Sequence, residues 1–221
     1  MNQLEEVKKQ VSGAMRLKLI GNEQLKTSAF RASRETYIEA LKLVLVAVDL
    51  LKQSIQTNEE NLRTSDLKLA HEFDSVKVEI EEVRLQLISN LALTEIKLEM
   101  WSEALSHSAM VLVGDPGNVK ATFRRAVARI RLGEQVEEAI SDLKKMRERD
   151  PKNPELILEI ANGKSALLDR KTRDDEFRSA FRGSLKPAAS PPPSMASSLW
   201  GLVSWFGQCG GLRHTYKSKS S

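Results

Sequence analysis

The chain has 221 residues, 41% of them hydrophobic but only 5% aromatic, with 34 Lys and Arg against 30 Asp and Glu. Apolar content carried by aliphatics and Ala favours helices over aromatic-rich sheets, which excludes a β-sandwich, and the length suits one core of about 100–200 residues with a tail. A lone Cys209 excludes an intrachain disulfide framework and a Cys-rich zinc site, and neither a signal-like start nor an apolar run of about 20 residues is present, so a cytoplasmic protein is expected.

Charge is unevenly placed. Residues 1–168 carry 25 basic and 26 acidic side chains, whereas 169–221 carry 9 and 4. A nearly neutral body with a basic tail argues against nucleic acid as a partner.

In chain order, 4–26 and 33–56 show apolar residues at three- and four-residue spacings, as in Leu41, Val44, Leu45, Val48 and Leu51, and read as two long amphipathic helices. The polar stretch 57–66 has no apolar stripe and reads as a loop, with Ser65 or Asp66 as cap of the next helix. Helical spacing resumes near Phe73 and runs to Leu98, with Ile80, Val83, Leu87 and Leu91 on one face. Shorter helices are expected at 101–113, 118–132, 136–149 and 154–183. Asp115-Pro-Gly117 and Asp150-Pro151 separate several of them, since proline cannot continue a helix.

A repeat underlies this series. Asn90, Leu91 and Ala92 recur as Arg124, Arg125 and Ala126 at a spacing of 34, while Ala104 to Ala139 and Pro116 to Pro151 span 35, so one extra residue falls near Gly133. Gly21 is followed by Phe30, Ser33, Tyr37 and Ala40 at the same offsets at which Ala92 is followed by Trp101, Ala104, Ser108 and Val111. Small residues where helices cross, large apolar residues between them and a terminal proline describe a helix–turn–helix unit. The pattern resembles the tetratricopeptide-repeat family over roughly 14–153. That resemblance implies an all-α, right-handed solenoid of three helix pairs plus a C-terminal capping helix, the first unit lengthened by additional residues in its flanking helices and loop.

Five residues point to chemistry. Lys18 and Asn22 are four apart and share one helix face, as do Lys120 and Arg124, and Asn90 holds the register of Arg124. First helices of stacked units line the concave wall, so all five are expected in one groove. The set resembles the carboxylate clamp of co-chaperone tetratricopeptide domains. The resemblance implies a co-chaperone adaptor gripping the C-terminal acidic peptide of heat-shock chaperones of the ninety or seventy kilodalton class. A terminal aspartate presents two carboxylates in a small volume. Lysines supply charge, arginine a planar fork, and asparagine an uncharged donor and acceptor that fixes orientation. Taken singly, each is more often a solvated helix-face or capping residue. Arg125 and Arg129 either extend the basic groove or face solvent.

After Pro154 the helix is expected to continue through Leu158, Ala161, Ala166 and Leu167, its first part capping the solenoid by covering the apolar face of the last repeat. Its second part places Phe177 and Phe181 four apart among Arg170, Lys171, Arg173, Arg178 and Arg182, and resembles the terminal helix of large immunophilins. It reads as a capping extension, with calmodulin-target and membrane-surface readings as alternatives. The expected organisation is a repeat domain over 1–183, a Pro/Ser/Ala linker over 184–198 and an apolar and basic tail over 199–221. That tail, with Leu199, Trp200, Leu202, Val203, Trp205 and Phe206, reads as a protein-docking or disordered peptide, or as an interfacial anchor on a membrane surface. His71, His107 and His214 are scattered, Cys209 lacks an ordered base and no phosphate loop follows a strand, so no catalytic residue, metal site, cofactor or isomerase domain is expected. The alternative function is a repeat scaffold for a different protein, attached to a membrane by its tail.

Overall fold

The computed structural model describes residues 3–58 and 67–184. Helix α1 spans Gln3–Lys26, α2 Phe30–Thr57, α3 Leu67–Lys97, α4 Trp101–Gly114, α5 Val119–Leu132, α6 Val136–Arg149 and α7 Pro154–Ser184, with no strand among the described residues. The chain divides into two compact units, Met1–Lys171 and Thr172–Ser221. The boundary falls inside α7.

Within the first unit, three antiparallel pairs follow one another, and the first helices of consecutive pairs also touch, α1 with α3 and α3 with α5. This is a tetratricopeptide-type solenoid. The repeated small positions are where the helices cross: Gly21, Ala92 and Ala126 are buried, as are Ser33, Ala104 and Ala139. A Cβ on Gly21 would lie 2.6 Å from Tyr37 Cε1, so only glycine lets α2 approach α1 this closely.

The turns inside the pairs repeat as well. Ser28, Glu99 and Gly133 adopt positive φ at equivalent places, and the next amide in each turn, Ala29, Met100 or Glu134, donates to the carbonyl of Gln24, Glu95 or Arg129 at 2.8, 2.9 and 3.0 Å. Each turn thereby satisfies carbonyls that the ending helix leaves open. The extra residue of the third unit sits directly after that shared motif, at Gln135, which takes a second left-handed conformation (φ 47°) before α6 begins.

The insertion between the first and second units lengthens the helices on either side of it. α2 has 28 residues and α3 has 31, against 14 each in α4, α5 and α6. One continuous core joins Val7, Val11 and Ala14 of α1 to Tyr37, Val44 and Leu51 of α2 and to Phe73, Ile80 and Leu87 of α3. α3 starts at Leu67, ahead of the apolar spacing read from Phe73, and Leu69 already packs against the core. One expectation needs correction: Leu45, counted on the apolar face of α2, is 61% exposed. The expected cap at Ser65 or Asp66 lies outside the described residues.

The start of α7 closes the array. Leu156 and Ile160 pack with Val136, Ile140 and Leu143, and a Cβ on Gly163 would stand 2.7 Å from Ile140 Cγ1. Burial ends there: residues 168–184 are all exposed. In the second unit Phe177 and Phe181 stack on each other at 6.3 Å.

Candidate functional site

The concave wall is organised by a single stretch of α3, residues 86–90. From α1, the Lys18 ammonium donates to Gln86 Oε1 at 2.5 Å, and Asn22 Oδ1 accepts from Asn90 Nδ2 at 2.9 Å. The same Asn22 oxygen accepts from the Tyr37 hydroxyl at 2.7 Å, a contact that the bare backbone of Gly21 makes reachable. From the other side, Arg124 Nη1 on α5 donates to the carbonyl oxygen of Ser89 at 2.6 Å and to its hydroxyl. Four of the five expected residues, Lys18, Asn22, Asn90 and Arg124, thus converge on one stretch of one helix.

Lys120 stands apart. It lies one turn before Arg124 on α5, is exposed, and makes no side-chain hydrogen bond or ion pair among the described residues. Both residues line a cavity of about 1010 Å³ above α5, with Phe123 and Val127 of the same helix, Leu93 of α3 and Leu158 of α7. Local structure presents α5 in this way: Asn118 caps it by accepting from the Ala121 amide at 2.9 Å, and its small and branched residues Ala121, Val127 and Ile130 are buried.

Burial changes the character of Arg124. It is 7% exposed, and loss of water pushes its guanidinium pKa down to about 10, the nearby Tyr37 opposing that shift. Burial likewise pushes the Tyr37 hydroxyl up, while Ser33, Asn90 and the charge of Arg124 work against it. A desolvated cation without a counter-charge costs free energy that an arriving anion would recover.

The contrast with neighbouring arginines is sharp. Arg125 pairs with Asp142 at 3.1 Å, Arg129 with Glu138 at 3.4 Å, and Arg131 with Glu159 at 2.8 Å. Arg125 and Arg129 are therefore tied to α6. Arg34 and His107 both meet the fully buried Glu95, at 3.3 and 2.7 Å. Lys18, Lys120 and Arg124 meet no carboxylate among the described residues. Their charge is left uncancelled, which suits an anion.

Gln86, Ser89 and the holding role of Tyr37 lie outside the five residues that the sequence singles out. The repeat register held a signal for the first two, since Gln86 is equivalent to Lys120 and Ser89 to Lys18. No group of three or more His, Cys, Asp and Glu among the described residues could hold a metal ion.

Three helix pairs with crossing small residues, a repeated turn and a lining wall of first helices define a tetratricopeptide-repeat fold. The solved C-terminal TPR-containing domain of a Plasmodium falciparum FK506-binding protein superposes with a TM-score of 0.57 at 23% identity, covering 75% of this chain and 95% of that one. In sequence, mouse sperm-associated antigen 1 is 43% identical over 65 residues, 29% of this chain and 7% of that protein. Mouse FK506-binding protein-like is 39% identical over 88 residues, 40% of this chain and 24% of that protein. The chain thus spans less than a third of these curated relatives. No family model matches it.

Proposed function

We propose that this domain is a chaperone-binding adaptor that grips the C-terminal acidic peptide of a heat-shock chaperone, of the ninety or seventy kilodalton class, in its concave groove. It acts as a binding module without catalysis. The observation that carries this reading is the set of three cations, Lys18, Lys120 and Arg124, without carboxylate partners among the described residues, while every other arginine of α5 is paired with one. Asn22 and Asn90, locked together by their own hydrogen bond, supply uncharged donors and acceptors that orient a chain end. A free terminal carboxylate beside an aspartate side chain gives the anion density that this wall lacks, and the remaining Arg124 edge, Nε and Nη2, suits a two-bond fork.

Lys120 provides a clean test, because its ammonium supports nothing else in the fold. Lys120→Ala should weaken binding of such a peptide by about 1–2 kcal/mol, less than a fully desolvated charge pair would give, with helical content and melting midpoint unchanged. Calorimetric titration showing equal affinity for this variant and the parent would rule Lys120 out of the clamp.

A further inference from the structure

The cations of this wall are held, but not by acids. Lys18 is held by the amide oxygen of Gln86, and Arg124 by the carbonyl and hydroxyl of Ser89. On α5 the restraint on every other arginine is a carboxylate: Asp142 for Arg125, Glu138 for Arg129 and Glu159 for Arg131. The two arrangements differ physically. A carboxylate orders a cation and cancels its field, whereas a neutral acceptor orders it and leaves the field intact. Long lysine and arginine side chains lose rotamer entropy when a ligand orders them, so a cation that is already tethered costs less to engage.

We propose that Gln86 and Ser89 are positioning residues of the anion site, holding Lys18 and Arg124 through neutral oxygens so that both cations stay ordered and uncancelled for an incoming carboxylate. This rests on the reading of the wall as a peptide-carboxylate site. Gln86 holds Lys18 of α1, while Ser89 fixes one edge of the guanidinium through Nη1 and leaves Nε and Nη2 for the ligand. Both residues sit on α3, between the two helices that bring the charges, so one helix sets the separation of the cations.

The full chain, with a fluorescent peptide ending in aspartate and the same peptide amidated as probes, gives the test. Gln86→Glu keeps the shape and the bond to Lys18 but adds a charge. It should lower affinity for the free-acid peptide about tenfold, flatten the salt dependence of binding, and leave the melting midpoint equal or higher. A residue with a merely structural role would not part affinity from stability in this direction. Ser89→Ala should weaken binding several-fold, mainly through faster dissociation, and Ser89→Thr should restore it. Unchanged affinity in Gln86→Glu, with the parent preferring the free acid, overturns the positioning role and leaves the clamp standing. A parent chain that fails to prefer the free acid overturns both.

Discussion

Arg124→Met should weaken binding of an acidic C-terminal peptide by about 2–5 kcal/mol, the range for one member of a desolvated charge pair, while the fold holds its stability or gains some. The two effects run in opposite directions because Arg124 is buried with no counter-charge, and its pKa near 10 records the cost. Set against the higher ordinary value of an arginine in the unfolded chain, that cost is on the order of 3 kcal/mol at neutral pH. It is fully present below about pH 10 and is relieved as pH rises above that, since there the unfolded chain binds more protons than the folded one. Tyr37 works the other way, its raised pKa making a contribution that is lost at alkaline pH. The informative quantity is therefore the difference between parent and variant. Denaturant unfolding at pH 8 and 11 should show the parent gaining on Arg124→Met as pH rises. A variant much less stable than the parent at pH 8 would mean that Arg124 is a structural residue first.

The largest loss of stability is expected at a different cluster. Glu95 is fully buried on α3 and is met by Arg34 of α2 and His107 of α4, so three helices from two adjacent pairs share one carboxylate. Arg34→Met removes one partner and leaves the charge enclosed with His107 alone, which should cost about 3–5 kcal/mol. Adding Glu95→Gln to that variant removes the stranded charge and should recover part of the loss, because a buried amide needs fewer partners than a buried carboxylate. Urea unfolding of the parent, the single variant and the double variant measures both steps. If the double variant were less stable than Arg34→Met, the cluster would not be acting as a charge pair.

How much of this the sequence carries depends on the kind of interaction. Helix crossings demand small residues at fixed intervals, so Gly21, Ala92 and Ala126 announce the repeat before any coordinates. The same register identifies the first helices of the units, and with them Lys18, Asn22, Asn90, Lys120 and Arg124 as candidates for one wall. What the residues do to one another is less legible. Glu95 lies 61 residues from Arg34 and 12 from His107, and nothing local marks three polar side chains as a shared buried cluster. Arg124 and Arg125 are neighbours of the same type, yet one is a buried, unpaired floor and the other is paired with Asp142; only packing separates them. Gln86 and Ser89 escaped notice because a neutral side chain holding a cation has no signature of its own. The tail beyond residue 184, with its tryptophans and Cys209, lies outside the described residues, and its linker and anchor readings stand as sequence expectations.

The central claim is that the wall recognises a chain-terminal carboxylate. Calorimetric titration of the full chain with the acidic C-terminal peptide of a ninety-kilodalton heat-shock chaperone, as free acid and as amide, tests it most directly. Amidation removes one negative charge and changes little else, so the account predicts binding of the free acid and a loss of about 2 kcal/mol or more for the amide, shrinking as salt is raised. Equal affinity for the two peptides at low salt would contradict it.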